Sequence, residues 1–375
     1  MPISTKFDYI IIGAGCAGLS LAYRLLEKNY KICILESSDN INSKNKLWSF
    51  WDTYKHPFSH LVKKKWKQLL IKNELESIRI DCSKYNYQTI DSHNFNNYVL
   101  DNIKLSKNIN IVFSEKVNDI YKNYNDIVLI TNNNKYCCNH VFDSRPNKII
   151  VNMRQQFFGA YIESKKQIFN ESLPVFMDFS NVKNKLHFVY LLPFSKNEAL
   201  VESTYFSSQK ESNLLDEYYI NEYMQKNFIN NEYFIKSIEV GSIPMDVDIN
   251  SLSEKYITMI GSYSGVTRAS TGYTFINIQR QADFIVKQIL NNKNKYNKKK
   301  YFHPYILRKM DKIFLEIIKK KPEYIKKVLM SMFRGKKHNS QIRFLSDIPT
   351  FLDIIKIILY IPKKKFIKYL IGLKE

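Results

Sequence analysis

A glycine pattern near the start of the chain constrains the fold more than any other feature. Gly13, Gly15 and Gly18 have the spacing G-x-G-x-x-G, directly after the apolar run 7–12. The residues that follow, 16–28, place apolar side chains at helical spacing. A strand, a glycine turn and a helix in this order form the first part of a βαβ unit whose turn binds the pyrophosphate of a dinucleotide.

Each glycine has its own expected role in such a turn. Gly13 permits the tight turn, Gly15 lets the backbone approach the pyrophosphate, and Gly18 lets the helix pack closely on the strand. Glu36 follows a second buried strand, 31–35, where a carboxylate can bind ribose hydroxyls. A glycine-rich turn in another kind of α/β protein is the alternative, and the strand, the helix and Glu36 together favour the dinucleotide.

The rest of the chain favours FAD over NAD as the cofactor. The fingerprint lies at the N-terminus, and the chain returns to the nucleotide domain through a strand at 256–260 and a helix at about 274–290. Between these elements we expect backbone amides to approach the flavin cofactor at four positions: Gly261, Gly265, Thr271 and Gly272.

The predicted fold class is α/β, with a Rossmann-type FAD-binding domain, an antiparallel-sheet substrate domain and a C-terminal helical region. The sheet is indicated by period-two alternation and repeated turn signals. The predicted boundaries are 1–60, 100–150 and 255–290 for the FAD-binding domain, 61–99 and 151–254 for the substrate domain, and 296–375 for the basic helical region.

Cysteine spacing and hydropathy favour a cytoplasmic protein without a metal site. The five cysteines form no C-x-x-C pair and have no histidine at metal-ligand spacing, as expected of reduced thiols. No apolar run reaches the roughly 18 residues of a spanning helix. The apolar N-terminal stretch contains three spaced glycines, which fit a strand, turn and helix better than an export signal.

Positive charge is concentrated in the last quarter of the chain. The net charge is +22, and residues 291–375 hold 23 Lys and Arg against six Asp and Glu. An anionic partner is expected, and the absence of zinc-finger, RNA-binding or helix-turn-helix patterns argues against nucleic acid. Basic amphipathic helices instead favour a membrane surface, although a solvated basic face without a partner stays open. Within 351–372, one apolar stripe contains Phe351, Ile354, Ile355, Ile358 and Leu359.

Several separated segments resemble one family, the flavin-dependent lycopene cyclases of carotenoid biosynthesis, especially the bacterial members. The similarity extends from residue 8 to about residue 350. The segments that carry it are DYIIIGAGCAGLSLA, LWSFWD, VFDSRP, LPFSKNEALVESTYFS, GSYSGVTRASTGYTFINIQRQAD and MFRGKKHNSQIRFLSD.

This resemblance implies an enzyme that cyclises the linear ends of lycopene, or a related carotene, to β-ionone rings. The reaction gives γ- or β-carotene without net redox change and needs reduced FAD, with NADPH as the expected reductant. Such an enzyme is expected on the inner face of the cell membrane, as a peripheral protein. Two rival hypotheses stay open: an FAD-dependent monooxygenase or isoprenoid reductase, and a non-catalytic basic protein that binds membranes or nucleic acid.

Glu202 is the candidate catalytic acid. The alternation in LVESTYF places it on one strand face with Leu200, Thr204 and Phe206, and an apolar face raises the pKa of a carboxyl group. The resemblance also places an acid at this position. Ser203 stands where many members have a second carboxylate, which leaves the base unassigned. A Glu202 that faces solvent on an edge strand is the alternative.

Aromatic residues are expected to line the substrate cavity, because aromatic ring faces attract the positive charge of a carbocation. Each of these residues could equally be an ordinary core residue. The candidates for lining the substrate are Trp48, Phe50, Trp51, Thr204 and Tyr205.

Overall fold

A computed structural model describes residues 6–43, 45–146, 151, 153–179, 185–207, 217–247, 256–291, 303–335 and 337–362. The strands are β1 (Lys6–Ile12), β2 (Ile32–Leu35), β3 (Leu47–Trp51), β4 (Val62–Trp66), β5 (Gln68–Lys72), β6 (Ser77–Asp81), β7 (Tyr87–Asp91), β8 (Ile109–Val112), β9 (Val117–Asn123), β10 (Asp126–Thr131), β11 (Lys135–Asp143), β12 (Arg154–Ser164), β13 (Val175–Asp178), β14 (His187–Pro193), β15 (Glu198–Ser207), β16 (Tyr233–Pro244) and β17 (Ile257–Met259). The helices are α1 (Cys16–Leu25), α2 (Ser92–Leu105), α3 (Tyr218–Asn227), α4 (Phe275–Leu290), α5 (Tyr305–Lys320), α6 (Pro322–Met332), α7 (Asn339–Leu345) and α8 (Phe351–Tyr360).

The first sheet brings the two expected cofactor segments together. Its order is β8-β2-β1-β11-β10-β9, and β17 also pairs with β11. Strands β8, β2, β1, β11 and β17 are parallel. Ile12 lies beside Leu35 and Asp143, and Asp143 lies beside Met259. The carboxyl ends of these strands therefore meet at one edge, directly before the glycine turn and before Gly261.

Helix α4 returns the chain to the N-terminal βαβ unit, as the sequence predicts. It spans Phe275–Leu290 and packs against α1. The Gln279 side chain donates to Ser20 Oγ at 2.9 Å, and Arg24 forms an ion pair with Asp283. These contacts fix α4 against α1.

The second sheet has the order β16-β12-β15-β14-β13-β5-β6 and is antiparallel except between β13 and β5. Alternation in HFVYLLPF and LVESTYFS, on either side of SKNEA, predicts a hairpin. This hairpin is confirmed as β14 and β15, which join through residues 194–197. Strand β15 lies between β12 and β14, so it is an interior strand. A third sheet, β3-β7-β4, contains the LWSFW segment.

The C-terminal helices share one core with the second sheet. Buried residues of α5, α6 and α8, such as Leu307, Ile325 and Ile357, belong to the same apolar cluster as Leu192 and Leu200 of the sheet. Burial of these apolar helix faces against the sheet is the main stabilisation of the C-terminal helices. Helix α8 ends at Tyr360, and residues 363–372 of the predicted 351–372 segment lie outside the described residues. The predicted fold class is confirmed.

Candidate active site

The first turn requires glycine at two of its three positions. Gly13 has φ +94°, and a Cβ there would lie 2.3 Å from Ser144 Oγ. A Cβ on Gly18 would lie 2.0 Å from the Gly13 carbonyl oxygen. A Cβ on Gly15 would meet no atom within 4 Å. Open space in front of Gly15, at the N-terminus of α1, is a cradle that fits a phosphate group.

Glu36 lies beside this cradle. Its carboxylate accepts hydrogen bonds from the backbone N–H of Ala14 at 2.7 Å and of Ser38 at 2.9 Å, and from the Ser38 hydroxyl at 2.8 Å. Burial acts to raise the pKa of Glu36, but these hydrogen bonds outweigh it and hold the pKa below its usual value. The carboxylate is ionised and able to accept from a ribose hydroxyl.

The segment between β17 and α4 forms two turns that lie near the first glycine turn. Gly261 has φ +75°, and its Cβ would lie 3.0 Å from Ala17 Cβ. The backbone N–H groups of Thr271 and Gly272 lie 3.2 and 2.9 Å from the Arg268 carbonyl oxygen. Gly272 has φ +73°, a conformation that favours glycine.

A cavity of about 540 Å³ lies between these turns, the second sheet and the C-terminal helices. Gly15, Gly261, Thr271 and Gly272 line it, whereas Gly265 only ends the short 3₁₀ helix Ser262–Ser264. Much of the remaining wall is apolar or aromatic. Its aromatic residues include Trp48, Tyr87, Phe157, Phe188, Tyr190, Phe206 and Tyr273.

Glu202 faces this cavity from β15. Because β15 is an interior strand, the edge-strand alternative is excluded. The Glu202 side chain is partly accessible, and what it exposes faces the cavity, within the protein. Burial raises the pKa of Glu202 to about 7, against a lowering by the Thr204 hydroxyl, which donates to Glu202 Oε1 at 2.7 Å. The group can therefore hold a proton near neutral pH.

Of the five residues expected to line the cavity, Trp48 lies in its wall and the other four do not. Trp48 lines the cavity and stacks on Phe275 at 5.5 Å between ring centroids, and Thr204 contacts Glu202 from outside the wall. Phe50, Trp51 and Tyr205 are buried and lie outside the wall.

Strand geometry explains the position of Tyr205, since alternate side chains point to opposite faces. Tyr205 is an odd number of residues from Glu202, and the even-numbered neighbour Phe206 supplies the aromatic ring in the wall instead. Trp51 packs in the core against Tyr87 and Phe176.

Sequence reasoning missed a second carboxyl group in the cavity, Glu239 of β16. The Glu239 side chain is buried and accepts from the backbone N–H of Leu47 at 3.2 Å and from the Tyr161 hydroxyl at 3.4 Å. The local pattern pointed the other way, because strand alternation places Glu239 on the face opposite its apolar neighbours Ile238 and Val240. In the structure those neighbours are 48% and 49% exposed and Glu239 faces inward.

Helix α8 has an inner and an outer apolar face. Ile357 and Ile361, at its end, line the cavity. On the other side, Phe351, Leu352 and Leu359 are 75%, 66% and 59% exposed. Helices α5, α6 and α7 instead bury many apolar side chains in the core. In the described part of the chain, none of the helices is long and apolar enough to cross a bilayer.

Solved flavoproteins share this architecture. A geranylgeranyl bacteriochlorophyll reductase-like protein from Thermoplasma acidophilum has a TM-score of 0.64 at 13% identity, over 98% of this chain and 99% of that chain. The flavin-dependent brominase Bmp2 has a TM-score of 0.65 at 11% identity, over 99% and 100%. The flavin-dependent monooxygenase PieE, solved with FAD and substrate, has a TM-score of 0.65 at 8% identity, over 96% and 71%. The fold is that of this class of flavoproteins.

The family match is more specific than the similarity of fold. The model of the lycopene cyclase protein family matches residues 8–370, nearly the whole chain. The chain therefore belongs to the lycopene cyclase family, an enzyme family, which confirms the resemblance seen in the sequence. No curated protein matches the chain in the corresponding search.

Proposed function

We propose that the protein is an FAD-dependent lycopene β-cyclase, which closes linear ends of lycopene into β-ionone rings without net redox change. The observation that carries the proposal is the position of Glu202, a protonatable carboxyl group in an apolar cavity whose other wall is formed by the dinucleotide turns. Family membership supports the carotene substrate.

Glu202 supplies the proton that starts the reaction. A carboxyl group with a pKa of about 7 is substantially protonated at neutral pH and can protonate the terminal alkene of the carotene. The chain then closes on the resulting cation, and loss of a ring proton gives the product. Trp48, Tyr273 and Phe206 line the same cavity, and aromatic rings can stabilise such a positive charge.

FAD is proposed to bind across the two glycine turns. Gly15 and the N-terminus of α1 would hold the pyrophosphate, and Glu36 would hold the ribose. Thr271 and Gly272 would face the flavin end of the cofactor. When bound in its reduced form, FAD supplies an electron-rich ring that can stabilise the substrate cation. NADPH is the proposed reductant.

A peripheral position on the inner face of the cell membrane is proposed from helix α8 and from the charge of its surroundings. The outer face of α8 exposes large apolar side chains, and residues 291–375 hold 23 Lys and Arg against six Asp and Glu. An apolar helix face among basic residues suits insertion between anionic lipid headgroups. Because the inner face of the same helix lines the cavity, a lipid-soluble carotene could enter there.

The test is pigment analysis with purified protein, reduced FAD and lycopene in liposomes. Wild type is expected to form monocyclic and bicyclic carotenes of unchanged mass. Glu202→Gln is expected to lower the rate at least about hundredfold while FAD remains bound. The matched control is Glu198→Gln, on the same strand but paired with Lys236 outside the cavity.

The identity of the product decides between the rival functions. A hydroxylated product would show a monooxygenase, and a saturated product would show an isoprenoid reductase. Cyclisation at the full rate by Glu202→Gln would remove Glu202 from the mechanism.

A further inference from the structure

Two carboxyl groups of the cavity flank the same glycine in the second sheet. Gly159 of β12 is paired with Glu202 on β15 and with Glu239 on β16. Residues directly opposite each other in antiparallel strands point to the same face. Glu202 and Glu239 therefore face one side of the sheet, and both line the cavity. Their backbones are separated by two strand spacings, about 10 Å.

Because position 159 is glycine, β12 places no side chain between the two glutamates. A Cβ at Gly159 would lie 3.1 Å from Leu200 Cδ1, and 3.6 Å from both Glu202 Cγ and the Glu239 carbonyl oxygen. The Leu200 and Glu202 side chains therefore pack over β12, and Glu202 extends toward the strand that carries Glu239. The electrostatic interaction between them contributes to the titration of Glu239.

The surroundings of the two groups differ. Glu239 faces the Leu47 N–H, the Tyr161 hydroxyl and the positive charge of Lys46, all of which stabilise an ionised carboxylate. In the described part of the chain, Glu202 receives one hydrogen bond, from Thr204. More groups therefore stabilise an ionised carboxylate at Glu239 than at Glu202.

We propose that Glu239 is the second catalytic carboxyl group of this cavity, which accepts the ring proton that ends the cyclisation started by Glu202. This inference rests on the proposed cyclase function. Glu202 loses its proton to the terminal alkene, and a C–H bond forms as the double bond becomes a cation. After ring closure, the ring C–H bond breaks, its electron pair forms the ring double bond and its proton goes to Glu239. Proton return from Glu239 to Glu202 restores the starting state.

The titration of the pair is consistent with one shared proton. Burial and repulsion from Glu202 raise the pKa of Glu239 to about 8, and burial raises that of Glu202 to about 7. The repulsion acts only when Glu202 is ionised, so the higher value describes loss of the last proton of the pair. Lys46 and the Tyr161 hydroxyl also act on Glu239, and each lowers its pKa.

The position of Ser203 agrees with Glu239 as the second carboxyl group of the cavity. Ser203 is fully buried, and its hydroxyl lies 2.9 Å from His187 Nε2. Ser203 does not line the cavity, because it points to the strand face opposite that of Glu202. A carboxylate there would not reach the cavity, whereas Glu239 does.

The first experiment needs no turnover. Carboxyl signals of FAD-loaded protein carrying ¹³C-labelled glutamate are titrated by NMR in wild type, Glu202→Gln, Glu239→Gln and the control Glu198→Gln. Glu202→Gln should lower the midpoint of Glu239 by about one pH unit or more, since the repulsion is removed. An unchanged Glu239 midpoint in Glu202→Gln would overturn the pairing. Glu198→Gln should leave both midpoints unchanged.

The second experiment measures rate and product. Glu239→Gln should lower kcat at least about hundredfold with FAD still bound, and residual product should carry its ring double bond at another position. Glu239→Asp, which keeps a carboxyl group, should recover part of the rate and the normal product. Normal rate and product in Glu239→Gln would show that Glu239 is not the base. If wild type cyclises no carotene, the proposed function fails, and the shared proton is still decided by the titration.

Discussion

At the scale of single residues, the three glycines of the first turn have separate physical tasks. Gly18 lies where a Cβ would overlap the Gly13 carbonyl oxygen, at 2.0 Å, so the fold itself requires it. Gly15 has an extended backbone, φ −80° and ψ −175°, and free space in front of it. Alanine fits the fold at Gly15 but not at Gly18.

This difference predicts opposite results for two similar substitutions. Gly15→Ala should fold with an unchanged melting temperature and bind FAD at least about tenfold more weakly, because the new methyl group occupies the phosphate space. Gly18→Ala should be strongly destabilised or insoluble. Thermal melting and flavin fluorescence measure both effects. Wild-type FAD affinity in Gly15→Ala would show that the pyrophosphate does not approach this residue.

The raised pKa of Glu202 also predicts how the free energy of unfolding depends on pH. Its pKa is raised from 4.5 to about 7 in the folded protein, so the folded state holds the proton more tightly than the unfolded state. Stability is therefore lost as pH rises from about 4.5 to 7. Glu202→Gln should be more stable than wild type at pH 8, by about 3 kcal/mol at most, and similar near pH 4. Urea unfolding at both pH values tests this; an equal difference at both would contradict it.

At the scale of elements, α8 has one apolar face in the cavity wall and a second apolar face exposed on the surface. The Thr350 and Asp353 capping box fixes its start, and the Arg343 guanidinium pairs with the Asp353 carboxylate. With its N-terminus fixed, the helix places Ile357 in the cavity wall and leaves Leu359 outside. This geometry supports a role at the lipid surface for one helix instead of the whole basic region.

The outer face of α8 can be tested by substitution. Replacement of Phe351, Leu352 and Leu359 by serine should weaken binding to vesicles with anionic lipid at least about tenfold, since each buried large apolar side chain contributes about 1.5–3 kcal/mol. The matched control is Leu105→Ser, an 85% exposed leucine at the end of α2. Sedimentation with liposomes measures the binding. Equal binding by both variants would exclude α8 as the contact.

At the scale of the whole molecule, one buried arginine connects the cofactor turns to the C-terminal helices. The Arg268 side chain is fully buried and donates to Asp311 of α5 at 2.7 Å, to Asp347 at 3.0 Å and to the Phe344 carbonyl oxygen at 2.6 Å. Its backbone carbonyl also receives the hydrogen bonds of Thr271 and Gly272. The helices that close the cavity are thereby tied to the turns that face the cofactor.

Removal of the Arg268 contacts should lower the free energy of unfolding much more than removal of a surface ion pair. Arg268→Met leaves the buried Asp311 carboxylate without its arginine and leaves Asp347 with His303 and Asn277. The variant should lower the free energy of unfolding by about 3–5 kcal/mol. Arg334→Met removes an exposed pair with Glu76 and should cost less than about 1 kcal/mol. Urea denaturation compares the two variants. Similar losses would mean that the buried network adds no stability beyond a surface pair.

The sequence by itself determined the βαβ unit, the return through β17 and α4 and the β14–β15 hairpin. These depend on local spacing and alternation, which a single chain segment displays. The choice of Glu202 as candidate acid depended on alternation together with the family resemblance. Only the tertiary structure decided that β15 is interior, that Glu239 faces the same cavity, and that Phe50, Trp51 and Tyr205 do not line it. The physical reason is that a cavity wall is assembled from strands and helices distant in sequence. The pairing of Gly159 with both Glu202 and Glu239 joins three such strands, so no single segment can reveal it.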